Sequence, residues 1–215
     1  MNIILYYIIE IFKWVPGIIF PISHIIQLID MYKNYEKKNN LNINLDPLTF
    51  LFFYIGNLGA YLFTKKYLSI KVWLAYIIPA IIEIYIYIYY YYVKNNKSKA
   101  IIYGLIMSIL LVGTIAYANI FQYNKRFIKY ITSISEYAGF LPALLFPIGI
   151  LLQFIKIIKK KSFIDVSMNG WILMIFANIG SYILIEKYTS WKSISAFLLS
   201  AIFSLAIVIY IIINT

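Results

Sequence analysis

Residues 147–171 read PIGILLQFIKIIKKKSFIDVSMNGW. An apolar run breaks at Gln153, passes four lysines, and turns apolar again beyond Asp165. That is how a membrane segment ends at a charged interface and a second one starts back. The rest of the chain repeats the theme. Its 215 residues are 63% hydrophobic and 13% charged, with a mean hydropathy of +0.82. Soluble domains of this size are about half apolar and about one quarter charged. Several runs exceed the roughly 18 apolar residues that cross a bilayer. Lipid offers no partner to backbone N–H and C=O groups, so each crossing must be a helix. The runs are apolar on every face, which excludes the alternating pattern of a membrane β-barrel.

The net charge of +11 does not indicate nucleic acid. The lysines sit in short clusters between apolar runs, where interfacial anchors belong. There is no cysteine, hence no disulfide framework. The first residues carry no basic region followed by a small-residue cleavage site, so no signal peptide is read there.

Dividing the chain at its charge clusters gives seven spans, at about 14–32, 47–64, 72–93, 100–121, 137–158, 166–185 and 193–213, with an amphipathic lead before the first. Short connections make consecutive spans antiparallel neighbours. One set of loops holds ten cations, among them Lys33, Lys94, Lys156 and Lys159; the other holds eight, among them Lys71, Arg126, Lys187 and Lys192. The positive-inside rule puts the ten-cation side in the cytosol. The N-terminus is then outside or luminal and the C-terminus cytosolic.

The pattern of the opening stretch occurs twice. Pro21 precedes Gln27 by six residues, as Pro147 precedes Gln153. Pro16 and Pro142 each lie five residues before those prolines, and Glu10 and Glu136 eleven before. Lys33 and Lys159 lie twelve after. Asn57, Gly59 and Tyr61 match Asn178, Gly180 and Tyr182, and Lys66, Tyr67, Ser69 and Lys71 match Lys187, Tyr188, Ser190 and Lys192 at equal offsets. Each repeat contains three spans. The fourth span between them restores orientation, so the repeats are parallel and related by an axis along the membrane normal, a transporter plan with its site at the repeat interface. The expected fold is therefore all-α, seven spans arranged 3+1+3. Its parts are a first triple-helix repeat (1–94), a linker helix with its loops (95–130) and a second repeat (131–215).

The stretch Gln153, Lys156, Lys161-Ser162, Asp165, Ser167, Trp171, Asn178 within this plan resembles the PQ-loop family. That family includes the sugar-transporting SWEETs, cystinosin-like amino-acid exporters and, more distantly, KDEL receptors. The first repeat shares Gln27, Lys33 and Asn57. The proline of the Pro-Gln pair is replaced by Ile26 and Leu152. The resemblance implies a multi-pass transporter working by alternating access, with polar residues such as Asn57 and Asn178 near its solute. It also implies a gate at the bent helices, here Pro21 with Gln27 and Pro147 with Gln153, and a role for an acid near Asp165 in proton coupling.

Each candidate has a plainer reading beside the functional one. Asn57 and Asn178 either line a cavity or hold helices together, and Trp171 either stacks on a solute or packs. Asp46 and Asp165 read as helix caps, with proton coupling as the second role of Asp165. Glu83 stands mid-span in PAIIEIYIY, where a carboxylate costs roughly 2.5 kcal/mol or more and signals function by default. It is a candidate proton carrier, or a neutral acid bonded to a neighbouring helix. His24, the only histidine, reads as an imidazole bonded to a helix. No metal-ligand cluster, nucleophile motif or nucleotide loop appears, so neither an enzyme nor a cofactor is expected. The implied partners are the lipid bilayer and a small-molecule solute, a sugar or an amino acid; nucleic acid is excluded. Proton coupling and a homo-oligomer stay open. So does the alternative of a non-transporting receptor or scaffold with a degenerate form of the same fold.

Overall fold

The computed structural model describes residues 3–38, 47–64, 68–123, 128–160 and 167–214. Among them every element is helical: α1 (Ile3–Phe12), α2 (Val15–Lys38), α3 (Pro47–Thr64), α4 (Ile70–Val93), α5 (Lys97–Tyr123), α6 (Ile128–Ala138), α7 (Phe140–Lys160), α8 (Met168–Ile185) and α9 (Trp191–Asn214). Seven of the helical runs are long and apolar enough to cross a membrane. The lipid-facing requirement shows on α5, whose Ile101, Leu105, Ile109 and Val112 point away from the protein.

The spans fall where the apolar runs put them, with local corrections. The third span starts at Ile70 and the fourth at Lys97, each earlier than hydropathy alone indicates. The sixth starts at Met168 rather than at 166, because Ser167 is the N-cap: its hydroxyl accepts from the Gly170 N–H at 3.1 Å. Asp165, expected as that cap, lies outside the described residues, as does Asp46. The amphipathic lead appears as α1, and a second lead, α6, precedes α7. It went unforeseen because the charges at 125–129 were read as a loop.

Packing brings distant parts of the chain together. α4 lies between α2 and α3, and α9 lies between α7 and α8. α2 packs along α8 and α3 along α7, while α1 rests on α8 and α6 on α3. α5 packs on the outside of α4. Two very close crossings hold this arrangement. A Cβ at Gly59 would lie 2.8 Å from Pro142 Cδ, and one at Gly180 would lie 2.7 Å from Pro16 Cδ. Only glycine lets these helices approach so far.

α4 and α9 each widen into one turn of π-helix, over Trp73–Ile77 and Ile194–Leu199. These turns carry Tyr76 and Phe197, both fully buried, whose rings meet at 6.5 Å between the two packed groups. Pro21 and Pro147 lie inside α2 and α7. Proline takes away the N–H that would bond four residues back. For Pro147 the freed carbonyl is that of Ala143, and the Ser195 hydroxyl of α9 donates to it at 2.6 Å.

Candidate functional site

Two adjoining cavities lie between α2, α3, α7 and α8. The outer one is nearer the Lys33 and Lys159 end of the helices; Gln27, Gln153, Trp171, Ser23 and Thr49 are among its lining residues. The inner one is narrow, lies at mid-span and is bounded by Asn57, Asn178, Glu83 and His24 with Phe20, Phe53 and Phe146. Sequence offsets pair most of these residues across the two halves: Gln27 with Gln153, Phe50 with Trp171, Phe53 with Met174, Phe20 with Phe146, and Asn57 with Asn178. Beyond the inner cavity, Phe146 packs on Phe197 with ring centroids 5.9 Å apart, and Phe197 on Tyr76, closing the path in that direction.

The inner cavity holds a hydrogen-bonded triad. His24 Nε2 lies 2.9 Å from Glu83 Oε1. Asn57 Nδ2 donates to both carboxyl oxygens of Glu83, at 2.9 and 3.0 Å. His24 Nδ1 is 2.8 Å from the Phe20 carbonyl one turn earlier, and the Ser23 hydroxyl donates to the same carbonyl. Glu83 is fully buried and His24 nearly so. Polar groups so deep in a membrane protein are bonded, since each would otherwise stand unsatisfied in hydrocarbon. Asn178 differs from its counterpart: its amide donates to the Met174 carbonyl of its own helix.

At the opposite end from the outer cavity, ion pairs brace each half, and two further contacts link one half to the other. Glu10 on α1 pairs with Lys13 at 2.5 Å and Lys71 at 2.7 Å. Glu136 on α6 pairs with Lys187 at 2.9 Å and Lys192 at 3.6 Å. Glu10 and Glu136 occupy matching offsets, as do Lys71 and Lys192. Lys13 also bonds Glu186, joining α1 to the end of α8. Lys187 donates to the Phe63 carbonyl at 3.0 Å, joining α8 to the end of α3.

The structure thus gathers Asn57, Asn178 and Glu83 at one cavity and Trp171, Gln27 and Gln153 at the next. Pro21 and Pro147 line neither, and Asp165 lies outside the described residues. Sequence reasoning did not find the partnership of His24 with Glu83. The signal was available: two lone titratable residues inside spans of one membrane protein tend to pair with each other. The chain matches no family model, no curated protein and no solved structure.

Proposed function

We propose that the chain is a membrane transporter that moves a small polar solute, a sugar or an amino acid, by alternating access between two PQ-loop-type bundles. One bundle is α1–α4 and the other α6–α9, with α5 as the linker of a 3+1+3 plan. The observation that carries this reading is the position of the cavities. Both lie where the two groups of helices meet, and residues at matching sequence offsets face each other across them. A site enclosed by two equivalent halves is exposed to one side or the other by rocking the halves, without being rebuilt.

The closed end is the one with the Glu10 and Glu136 ion pairs and the Tyr76–Phe197 contact. By the positive-inside rule it faces outward or into a lumen, and the outer cavity faces the cytosol. Opening the closed end requires the Lys13–Glu186 and Lys187–Phe63 links to part. The prolines of α2 and α7 favour bending there, since each helix lacks one backbone hydrogen bond at that point. Gln27 and Gln153 flank the cytosolic entrance.

Uptake into proteoliposomes tests this. Labelled sugars, neutral amino acids and amines are presented one at a time to the purified protein. Saturable uptake of one class, lost in an Asn57→Ala/Asn178→Ala variant, is the expected result. Protein shown to be folded that moves none of them contradicts transport and supports the receptor or scaffold reading.

A further inference from the structure

On the transporter reading, the class of solute follows from a proton count at His24. A carbonyl oxygen only accepts, so the 2.8 Å contact between His24 Nδ1 and the Phe20 carbonyl requires a proton on Nδ1. Nε2 then faces Glu83 Oε1 at 2.9 Å. Two lone pairs do not meet at that distance, so a second proton lies between them. Whether it belongs to an imidazolium or to a carboxylic acid, the pair is neutral with it. Without it the pair carries one negative charge at mid-span.

Among the described residues, the Asn57 amide is the one other donor to that carboxylate, and no second cation stands beside it. α2 presents His24 and Ser23, and α3 presents Asn57 and Tyr54, whose hydroxyl donates to the Met107 carbonyl of α5. α7 presents Phe146 and Ile150, and α8 presents Met174 and Asn178. Among the described residues, no lysine or arginine lines either cavity. An uncompensated carboxylate at this depth is costly. The proton between His24 and Glu83 therefore leaves only when another cation takes its place.

The walls of the inner cavity suit such a cation. The rings of Phe20, Phe53 and Phe146 surround the space beside Glu83, and aromatic faces attract ammonium groups. Asn57 and Asn178 each donate an N–H to the protein and keep a carbonyl oxygen that accepts. Acceptors, a carboxylate and aromatic faces fit a head that only donates or is purely cationic. They serve a sugar's many hydroxyls poorly. The outer cavity supplies the opposite chemistry. It holds Ser23, Gln27, Thr49 and Gln153, and the Trp171 indole N–H is buried there with no partner among the described residues. That end suits a hydroxyl or other acceptor.

We infer that the solute is a monovalent organic ammonium with a hydrogen-bond acceptor at its far end, and that its ammonium displaces the proton held between His24 and Glu83. One proton is released from the His24–Glu83 pair into the cavity for each cation that docks on the Glu83 carboxylate. The site stays neutral in both states, so transport is an exchange of ammonium for proton.

Choline is the probe, because its fixed charge prevents it from crossing as a free base. Proteoliposomes with a pH dye in the lumen are given labelled choline, glucose or a neutral amino acid, with the membrane potential clamped. The expected result is choline uptake with protons moving the other way at about one for one. Glu83→Gln, shown to unfold at the wild-type temperature, is expected to lose roughly thirtyfold or more of the uptake, as removal of a buried charge partner does. Carriage of glucose or the neutral amino acid without choline overturns the inference and leaves the transporter reading standing. Choline uptake without proton counterflow in the wild-type protein also overturns it. Failure to carry choline while another labelled class is carried overturns the inference alone, and failure to carry any labelled sugar, amino acid or amine overturns both.

Discussion

At mid-span, the two halves of the molecule carry different chemistry. The first half has His24, Asn57 and Glu83, joined by hydrogen bonds and buried. Matching offsets in the second half hold Ile150, Asn178 and Ser204. There Asn178 bonds its own helix, and the Ser204 hydroxyl bonds the Ser200 carbonyl one turn earlier. Around that layer the halves agree: glycine against proline at both crossings, a π turn in both α4 and α9, and a glutamate–lysine tie at both far ends. The lesson is a division of labour. Equivalent residues shape the cavity and its seals, and the unmatched layer gives it chemistry.

The largest expected effect comes from erasing that layer one residue at a time. His24→Ile makes the first half resemble the second but strands Glu83, at a cost of about 3 kcal/mol or more, as when one partner of a buried pair is removed. Adding Glu83→Ser removes the stranded group. The double variant is then expected to recover part of the loss, with a coupling of about 1–3 kcal/mol between contacting sites. Denaturant titration in mixed micelles reads this directly. Simply additive losses would mean that the triad is not a unit.

Next come the crossings. Gly59→Ala and Gly180→Ala each push a methyl into a proline ring, and overpacking of that kind costs about 1–3 kcal/mol. The loss should be larger at Gly59, where a methyl also meets Leu141 Cβ at 2.6 Å and the Ala138 carbonyl at 2.8 Å, than at Gly180, where the next contact after the proline is Val15 at 3.1 Å. Thermal unfolding of both variants sharpens the comparison. If Gly180 tolerates alanine no better than Gly59, the backbone contact at Gly59 is not what separates the two crossings.

Smaller still is the effect of Ser195→Ala. It leaves the Ala143 carbonyl, freed by Pro147, without its donor, a loss of about 1 kcal/mol. The first half has Leu74 at the matching position and no hydroxyl to lose. The same titration on Leu74→Ala should therefore show a packing loss alone, with no change in the amide-exchange rate of the neighbouring turn. The smallest effects belong to Glu10→Gln and Glu136→Gln. Both carboxylates are partly exposed, and exposed ion pairs contribute little and are screened by salt. Their loss should appear as easier opening of the sealed end at low salt and vanish at high salt.

Much of this was legible in the sequence. Span lengths follow from apolar runs, which lipid enforces without reference to tertiary contacts. Matching offsets pointed to Asn57 with Asn178 and to Gln27 with Gln153, and the structure puts each pair at one cavity. Other features depend on contacts between remote parts of the chain. No local signal says that His24 meets a residue on α4, or that Asn57 gives its amide to Glu83. The lead helix α6 was hidden because its charges look like a loop until α3 is seen packed against it. Ser167 caps α8, an assignment that spacing alone does not make among the polar residues ahead of that helix.

Accessibility of the inner cavity tests the central claim most directly. The chain has no cysteine, so Ile150→Cys provides a single thiol lining the inner cavity. In oriented vesicles, a charged maleimide that cannot cross the bilayer is added from one face or the other. Alternating access predicts labelling from both faces, with the ratio shifted when solute is present on one side. Labelling from the same face alone, whatever solute is added, would contradict it.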